Sequence, residues 1–155
     1  MVKKGSLKDE EIMQFAIEEA LQASREGEVP VGAVLIREGN VLARNHNRSL
    51  SLNDPTAHAE ILALREGAAR MGNYRMDGCE LYVTIEPCPM CAGAILHSRI
   101  SRLIFGARDE RGGAVESLYR LLHDQRLNHR VQVTEGVLAE RCGEILQDFF
   151  RVRRR

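Results

Sequence analysis

Apolar residues at Ile12, Met13, Ala16, Ile17, Ala20 and Leu21 recur at three- and four-residue spacing, the stripe of an amphipathic helix. Ser6-Leu7-Lys8-Asp9 ahead of it fits a capping box, and Gly27 ends the pattern. The period then changes. Val31 to Ile36 is an almost unbroken apolar run, and Val41 to Arg44 follows after Glu38-Gly39-Asn40, which predicts a hairpin whose first strand is buried on both faces. Polar Asn45 to Asn53 is a loop. Asp54-Pro55-Thr56 reads as the start of a second helix, with Asp54 as N-cap and Pro55 at the first helical position. Ile61, Leu62, Leu64, Ala68 and Ala69 carry that helix to Gly72-Asn73. Glu80 to Ile85 predicts a strand that leads through Glu86-Pro87 into a third helix. Gly93, Ala94, Ile95 and Leu96 make this helix apolar nearly all round, which implies burial in the core or at a subunit interface. Leu103 to Gly106 and Val131 to Val133 are further strands, with Leu118 to Leu122 a short helix between them. Leu138, Cys142, Ile145, Leu146 and Phe149 stripe a last helix. A connection as long as that between the fourth and fifth strands suits a parallel crossover. The expected architecture is one α/β domain over residues 1–155, a five-stranded mixed sheet with helices on its faces and strands 4 and 5 parallel.

Composition adds little to this frame. A chain of 155 residues with 44% hydrophobic and 28% charged residues is an ordinary globular domain. No apolar run approaches a membrane span, and Met1 to Glu11 lacks a signal-peptide core, so no membrane partner and a cytoplasmic setting are expected. Thiols stay reduced there, and the Cys88-x-x-Cys91 pair reads as metal-binding before it reads as a disulfide. Cys79 and Cys142 have no such spacing and are expected as small buried hydrophobes. Net charge is zero from 22 basic and 22 acidic residues. The distribution is uneven: Asp9 to Glu28 holds seven acids and one arginine, whereas Arg99 to Arg155 holds twelve arginines against eight acids. The terminal Arg151-Val152-Arg153-Arg154-Arg155 suits phosphates, and it equally suits a solvated helix end favoured by the helix dipole.

The chemistry concentrates in two short stretches, His58-Ala59-Glu60 and Pro87-Cys88-Pro89-Met90-Cys91. Two thiolates and one imidazole form a ligand set suited to zinc, and three protein ligands leave one tetrahedral position for water, as in catalytic rather than structural sites. Helix starts would hold both cysteines as thiolates. Glu60 is the acid placed to take a proton from that water and so is expected outside the coordination shell. On a regular helix His58 and Glu60 would point apart, so both serve one metal only near a helix start. His97, His123 and His129 are expected as ordinary polar or core histidines.

H-x-E followed by P-C-x-x-C is the established signature of zinc nucleobase deaminases. The wider sequence resembles the bacterial tRNA-specific adenosine deaminases of the cytidine/deoxycytidylate deaminase-like zinc superfamily. The resemblance rests on Glu28 to Val34, Asn47-Arg48, Asp54 to Glu60, Thr84 to Ser98, Phe105 to Asp109 and Asp148 to Arg154. It implies a three-layer α/β/α fold with one zinc per chain between the starts of two helices. The implied reaction is hydrolysis of the wobble adenosine of a tRNA anticodon stem-loop to inosine, with zinc-activated water as co-substrate and Glu60 as proton shuttle. It further implies that Asn47 hydrogen-bonds the flipped base, that Val31 and Pro87 wall the pocket, and that Asp109 meets nucleotides flanking the target. Phe149 and Phe150 cannot share one helix face, so one packs inward while the other stacks a base or seals a partner subunit. Arg151, Arg153 and Arg154 would meet phosphates, and the resemblance implies a homodimer. Two other functions use the same residues: deamination of a free base or nucleoside, and a non-catalytic zinc-stabilised RNA-binding protein, for which Glu60 would be superfluous.

Overall fold

The computed structural model describes residues 2–3 and 5–153. Among them, β1 (Val2–Lys3), α1 (Leu7–Arg25), β2 (Gly32–Arg37), β3 (Asn40–His46), α2 (Ala59–Met71) and β4 (Cys79–Ile85) follow in order. Then come α3 (Pro89–Ser98), β5 (Arg102–Ala107), a 3₁₀ turn (Leu121–His123), β6 (Gln132–Thr134) and α4 (Ala139–Arg153). The five expected strands form one mixed sheet, and the two-residue β1 extends its edge to the order β1-β6-β5-β4-β2-β3. β4, β5, β6 and β1 run parallel to one another, while β2 is antiparallel to both β3 and β4. The parallel crossover expected between Leu103–Gly106 and Val131–Val133 is the β5–β6 pair.

Alternation along β2 divides the core into two. Ala33 and Leu35 join Ala63, Leu64, Ile95, Phe105 and Leu122 on the α2/α3 side. Val34 and Ile36 join Met13, Ile17, Tyr82, Ile104, Cys142 and Ile145 on the α1/α4 side. β2 is therefore buried on both faces, as its continuous apolar run requires. α1 starts with the expected capping box: Ser6 Oγ accepts from the Asp9 amide while Asp9 accepts from the Ser6 amide. It lies close on β2, since a Cβ on Gly32 would meet the Ala16 carbonyl oxygen. Cys79 and Cys142 are buried free thiols, as expected.

Two expectations of local structure fail. α2 begins at Ala59, with His58 as N-cap, and not at Asp54-Pro55. Asp54 Oδ1 accepts from both the amide and the hydroxyl of Thr56, at 2.8 and 2.7 Å, and so closes a tight turn ahead of the helix. The buried face of α2 accordingly runs through Ala59, Glu60, Ala63, Leu64 and Gly67. Leu118 to Leu122 supplies only the 3₁₀ turn at Leu121–His123, with Leu118 and Tyr119 exposed. No helix among the described residues is long and apolar enough to cross a membrane.

Antiparallel pairing sets the location of the site. Gly32 pairs with His46 and Ala33 with Val83, so the start of β2 lies beside the ends of β3 and β4. Ile85 pairs with Ala107, which brings the end of β5 to the same edge. The helices α2 and α3 both begin there.

Candidate active site

His58 and Cys88 are the N-caps of α2 and α3, with extended backbones (ψ 155° and 173°), and Cys91 lies one turn into α3 behind Pro89 at the first helical position. An N-cap side chain folds back over the first turn, so Cys88 and Cys91 meet across that turn. The same geometry removes the difficulty of His58 and Glu60: His58 precedes the helix, Glu60 is its second residue, and no helical i,i+2 relation applies. His58, Cys88 and Cys91 bring their ligand atoms within 4.8 Å of one another.

These three side chains fit zinc on distance. Bonds of about 2.3 Å to sulfur and 2.0–2.1 Å to nitrogen at a tetrahedral angle put the two atom types about 3.5–3.6 Å apart. His58 Nδ1 lies 3.6 Å from Cys88 Sγ and 3.5 Å from Cys91 Sγ. In the protonated set, the Cys91 thiol donates to Cys88 and holds it down at about 4. The same hydrogen bond, with burial, pushes Cys91 up, and the hydrogen bond with Cys88 raises His58. Thiolates and a neutral imidazole are the ligating forms, so a divalent cation held here would take the place of these protons.

Glu60 is 3% exposed, and burial pushes its carboxyl up to about 7. It lines a cavity of about 250 Å³ together with Val29, Val31, Asn47, His58, Ile85, Glu86, Cys88, Asp109, Leu146 and Phe150. Asn47 follows β3 directly, and its Oδ1 accepts from the Ala59 amide at 2.7 Å, closing the first turn of α2 that His58 leaves open. The Asn47 amide donates to the Val31 carbonyl at 3.2 Å, which ties both residues into one wall. Preceding Asn47, His46 is buried between Glu19 of α1 and Glu26, the C-cap of that helix, at 2.8 and 2.9 Å.

Of the remaining expected residues, Val31, Asp109 and Phe150 line the cavity and Pro87 does not. Pro87 is buried, and its carbonyl accepts from Ala114 of the loop after β5. Phe149 is the inward ring at 6% exposure and Phe150 the outward one at 39%, in an edge-to-face pair with centroids 5.4 Å apart. Arg153 lies over the Phe149 ring at 3.5 Å, and Arg151 pairs with Asp148 at the surface. Arg154 lies outside the described residues, as does Arg155. Arg108, next to Asp109, pairs with Glu135.

Sequence reading missed Glu28 and Glu86, both buried. Glu28 accepts from the amides of Leu50 and Ser51 and pins the loop between β3 and α2. Glu86 accepts from the amides of Asp109, Val115, Glu116 and Ser117 and from the Ser117 hydroxyl. Burial alone would raise its carboxyl, and these bonds hold it below the ordinary range instead. The one available signal for Glu86 was an acid directly after the apolar strand Leu81 to Ile85.

The H-x-E and P-C-x-x-C signature of the zinc nucleobase deaminases thus lies at two helix starts beside a mixed sheet. This chain is a deaminase of the cytidine deaminase-like class, and the family model for the MafB19-like deaminase matches residues 7–154. Within that class it belongs to the tRNA-specific adenosine deaminases. It is 52% identical over 147 residues to the tRNA-specific adenosine deaminase of Haemophilus influenzae, covering 94% of this chain and 85% of that one. A solved structure from work on A-to-I editing by tRNA:A34 deaminases at the wobble position superposes with a TM-score of 0.85 at 46% identity, covering 88% of this chain and 99% of the other. The guanine deaminase of Bacillus subtilis is more distant, with a TM-score of 0.62 and 38% identity over 64% of each chain.

Proposed function

We propose that this chain hydrolyses the wobble adenosine of a tRNA anticodon loop to inosine and ammonia, using one zinc ion per chain held by His58 Nδ1, Cys88 Sγ and Cys91 Sγ. The observation that carries the chemistry is a buried acid, Glu60, sharing a cavity with His58 and Cys88, behind which Cys91 completes three ligand atoms at zinc spacing. The substrate follows from the family, in which the relatives at high identity are named for tRNA adenosine. When bound, the ion supplies Lewis-acid activation of the hydrolytic water. Glu60 collects one proton of that water and delivers it to ring N1, then takes the second, now on the oxygen joined to C6, and passes it to the exocyclic amine that leaves as ammonia. A carboxyl raised by burial is suited to holding a proton between these transfers.

Asn47 has its Oδ1 committed to Ala59, so its Nδ2 is the donor offered to the base. Val31 and Ile85 give the base an apolar wall. Asp109 and Phe150 stand at the rim, the first for the sugar–phosphate of a flanking nucleotide and the second as a stacking surface. Arg151, Arg153 and Arg154 approach phosphates of the stem-loop. A homodimer accounts for the apolar groove between α2 and α3, lined by Ile61, Leu64, Ala68, Met76 and Ala94. The setting is cytoplasmic, where the thiol ligands stay reduced.

The likeness to a guanine deaminase favours one second reading, deamination of a free base or nucleoside. Inosine formation in an anticodon stem-loop is measured beside ammonia release from free adenosine and guanine. Inosine in the stem-loop with no release from the free compounds supports the proposal, and the reverse supports the second reading. Neither activity in zinc-loaded protein leaves a non-catalytic RNA-binding role.

A further inference from the structure

Glu86 directly follows β4 and stands two residues before Cys88, and both of its oxygens accept hydrogen bonds from the loop that follows β5. Oε1 accepts from the Asp109 amide at 3.1 Å and from the Ser117 hydroxyl, while Oε2 accepts from the amides of Val115, Glu116 and Ser117 at 3.0, 2.7 and 2.9 Å. All five partners are neutral donors, four of them backbone groups that make no bond within a helix or strand. One carboxylate thus does for this loop what a strand ladder does elsewhere.

The loop is shaped to receive it. A Cβ on Gly113 would lie 2.5 Å from both Glu86 oxygens, so only glycine allows the chain to close over the carboxylate. Further bonds complete the closure. The Asp109 carbonyl accepts from the Gly113 amide at 2.8 Å, and Pro87 accepts from Ala114 at 2.8 Å. Asp109 Oδ1 accepts from the amides of Arg111 and Gly112 at 3.1 and 3.2 Å, which sets the rotamer of the one loop side chain that lines the cavity. The segment bearing Cys88 and the segment bearing Asp109 are therefore held together by one side chain, Glu86, and one backbone bond, from Ala114 to Pro87.

We propose that Glu86 is a positioning residue for substrate recognition, acting through Asp109: it sets the height of the 109–117 loop over the cavity and so the fit of the nucleotide next to the target adenosine. The inference rests on the proposed tRNA activity and on Asp109 as a rim contact. It makes Glu86 a determinant of binding and of flanking-nucleotide preference, with no part in the proton transfers.

A double-mutant cycle on zinc-loaded full-length protein tests it, with KM and kcat measured on an anticodon stem-loop and zinc content and Tm as controls. Glu86→Gln and Asp109→Ala should each raise KM about tenfold, with kcat and zinc content near native. The double variant should also stand about tenfold above native, because residues acting through one another are not additive. A KM raised about a hundredfold in the double variant would mean independent effects and overturn the inference while leaving Asp109 a substrate contact. A native KM in Asp109→Ala would remove that contact and the inference with it, and a native KM in Glu86→Gln would overturn the inference alone. Should Glu86→Gln fail to fold, Gly113→Ala takes its place in the cycle, since it keeps the carboxylate and displaces the loop. The same three outcomes apply, and inosine formation by the unsubstituted chain keeps the proposed activity on a separate readout.

Discussion

Replacing Asn47 by alanine and by aspartate separates two roles that meet in one side chain. Oδ1 caps α2 through the Ala59 amide at 2.7 Å, and Nδ2 is the proposed donor to the base. Alanine removes both functions. Loss of a helix cap costs about 1 kcal/mol, which for a chain of this size lowers Tm by about 2–4 °C. A buried hydrogen bond whose partner is left unsatisfied is worth about 1–3 kcal/mol, or about 5- to 150-fold in kcat/KM. Aspartate keeps an acceptor for the Ala59 amide, at a helix N-terminus where negative charge is favourable, and removes only the donor. The expected outcome is a lowered Tm in Asn47→Ala alone, with kcat/KM on a stem-loop reduced in both variants. The slope of log K against log salt should be native in both, because every cation that could meet a phosphate is still in place. Thermal melts and single-turnover inosine assays read the two roles independently. Native kcat/KM in Asn47→Asp would refute the base contact, and a native Tm in Asn47→Ala would refute the cap.

Three further outcomes follow from the same structure. Cys88→Ala should lose both zinc and inosine formation, since two ligands remain and a thiolate charge is gone; elemental analysis showing full zinc in that variant would sink the ligand assignment. Asp9 joins α1 to the sheet through Arg102 and the Tyr82 hydroxyl, and although burial pushes its carboxyl up, these bonds outweigh burial and hold it at about 2. A depressed carboxyl contributes stability that is present above its ordinary value near 4 and is lost as pH falls through about 2; the contribution is about 2 kcal/mol, and in Asp9→Asn denaturant titrations should lose that part of the pH dependence between pH 4 and 2. Truncation after Phe150 should raise the Kd for a stem-loop and reduce the salt slope by about 0.7–0.9 for each phosphate that the arginines neutralise, with zinc unchanged; identical titrations would leave the arginines as a helix end.

What the sequence made legible was mostly local. Ser6 and Asp9 cap each other three residues apart, β2 and β3 pair across a short turn, and Pro89 opens α3 beside Cys88, so each pattern carried its own structural cause. That His58, Cys88 and Cys91 form a group able to hold a metal was readable because residue type and spacing specify such chemistry before the fold does. The start of α2 was misread because an aspartate before Pro-x-x is equally a helix cap and a turn former, and here the carboxylate of Asp54 turns onto Thr56. β1 is two residues at a sheet edge, too short for any periodicity. Glu86 was missed for a different reason: its partners lie 23 to 31 residues away, and an acid directly after an apolar strand does not show what it will bond until the loop that surrounds it is placed. Arg153 similarly looks like a free cation in the terminal run, whereas it lies over Phe149 of its own helix.

The central claim is that Glu60 carries protons beside a zinc that it does not bind, in an enzyme that makes inosine in tRNA. The direct measurement is zinc content and inosine formation, side by side, in native protein and Glu60→Ala. The account predicts one zinc per chain in both, inosine at the wobble position with the native protein, and a rate lower by about 10²–10⁴-fold or more in the variant. Zinc lost from Glu60→Ala would make Glu60 a ligand, and native turnover in it would give the proton transfers to another residue.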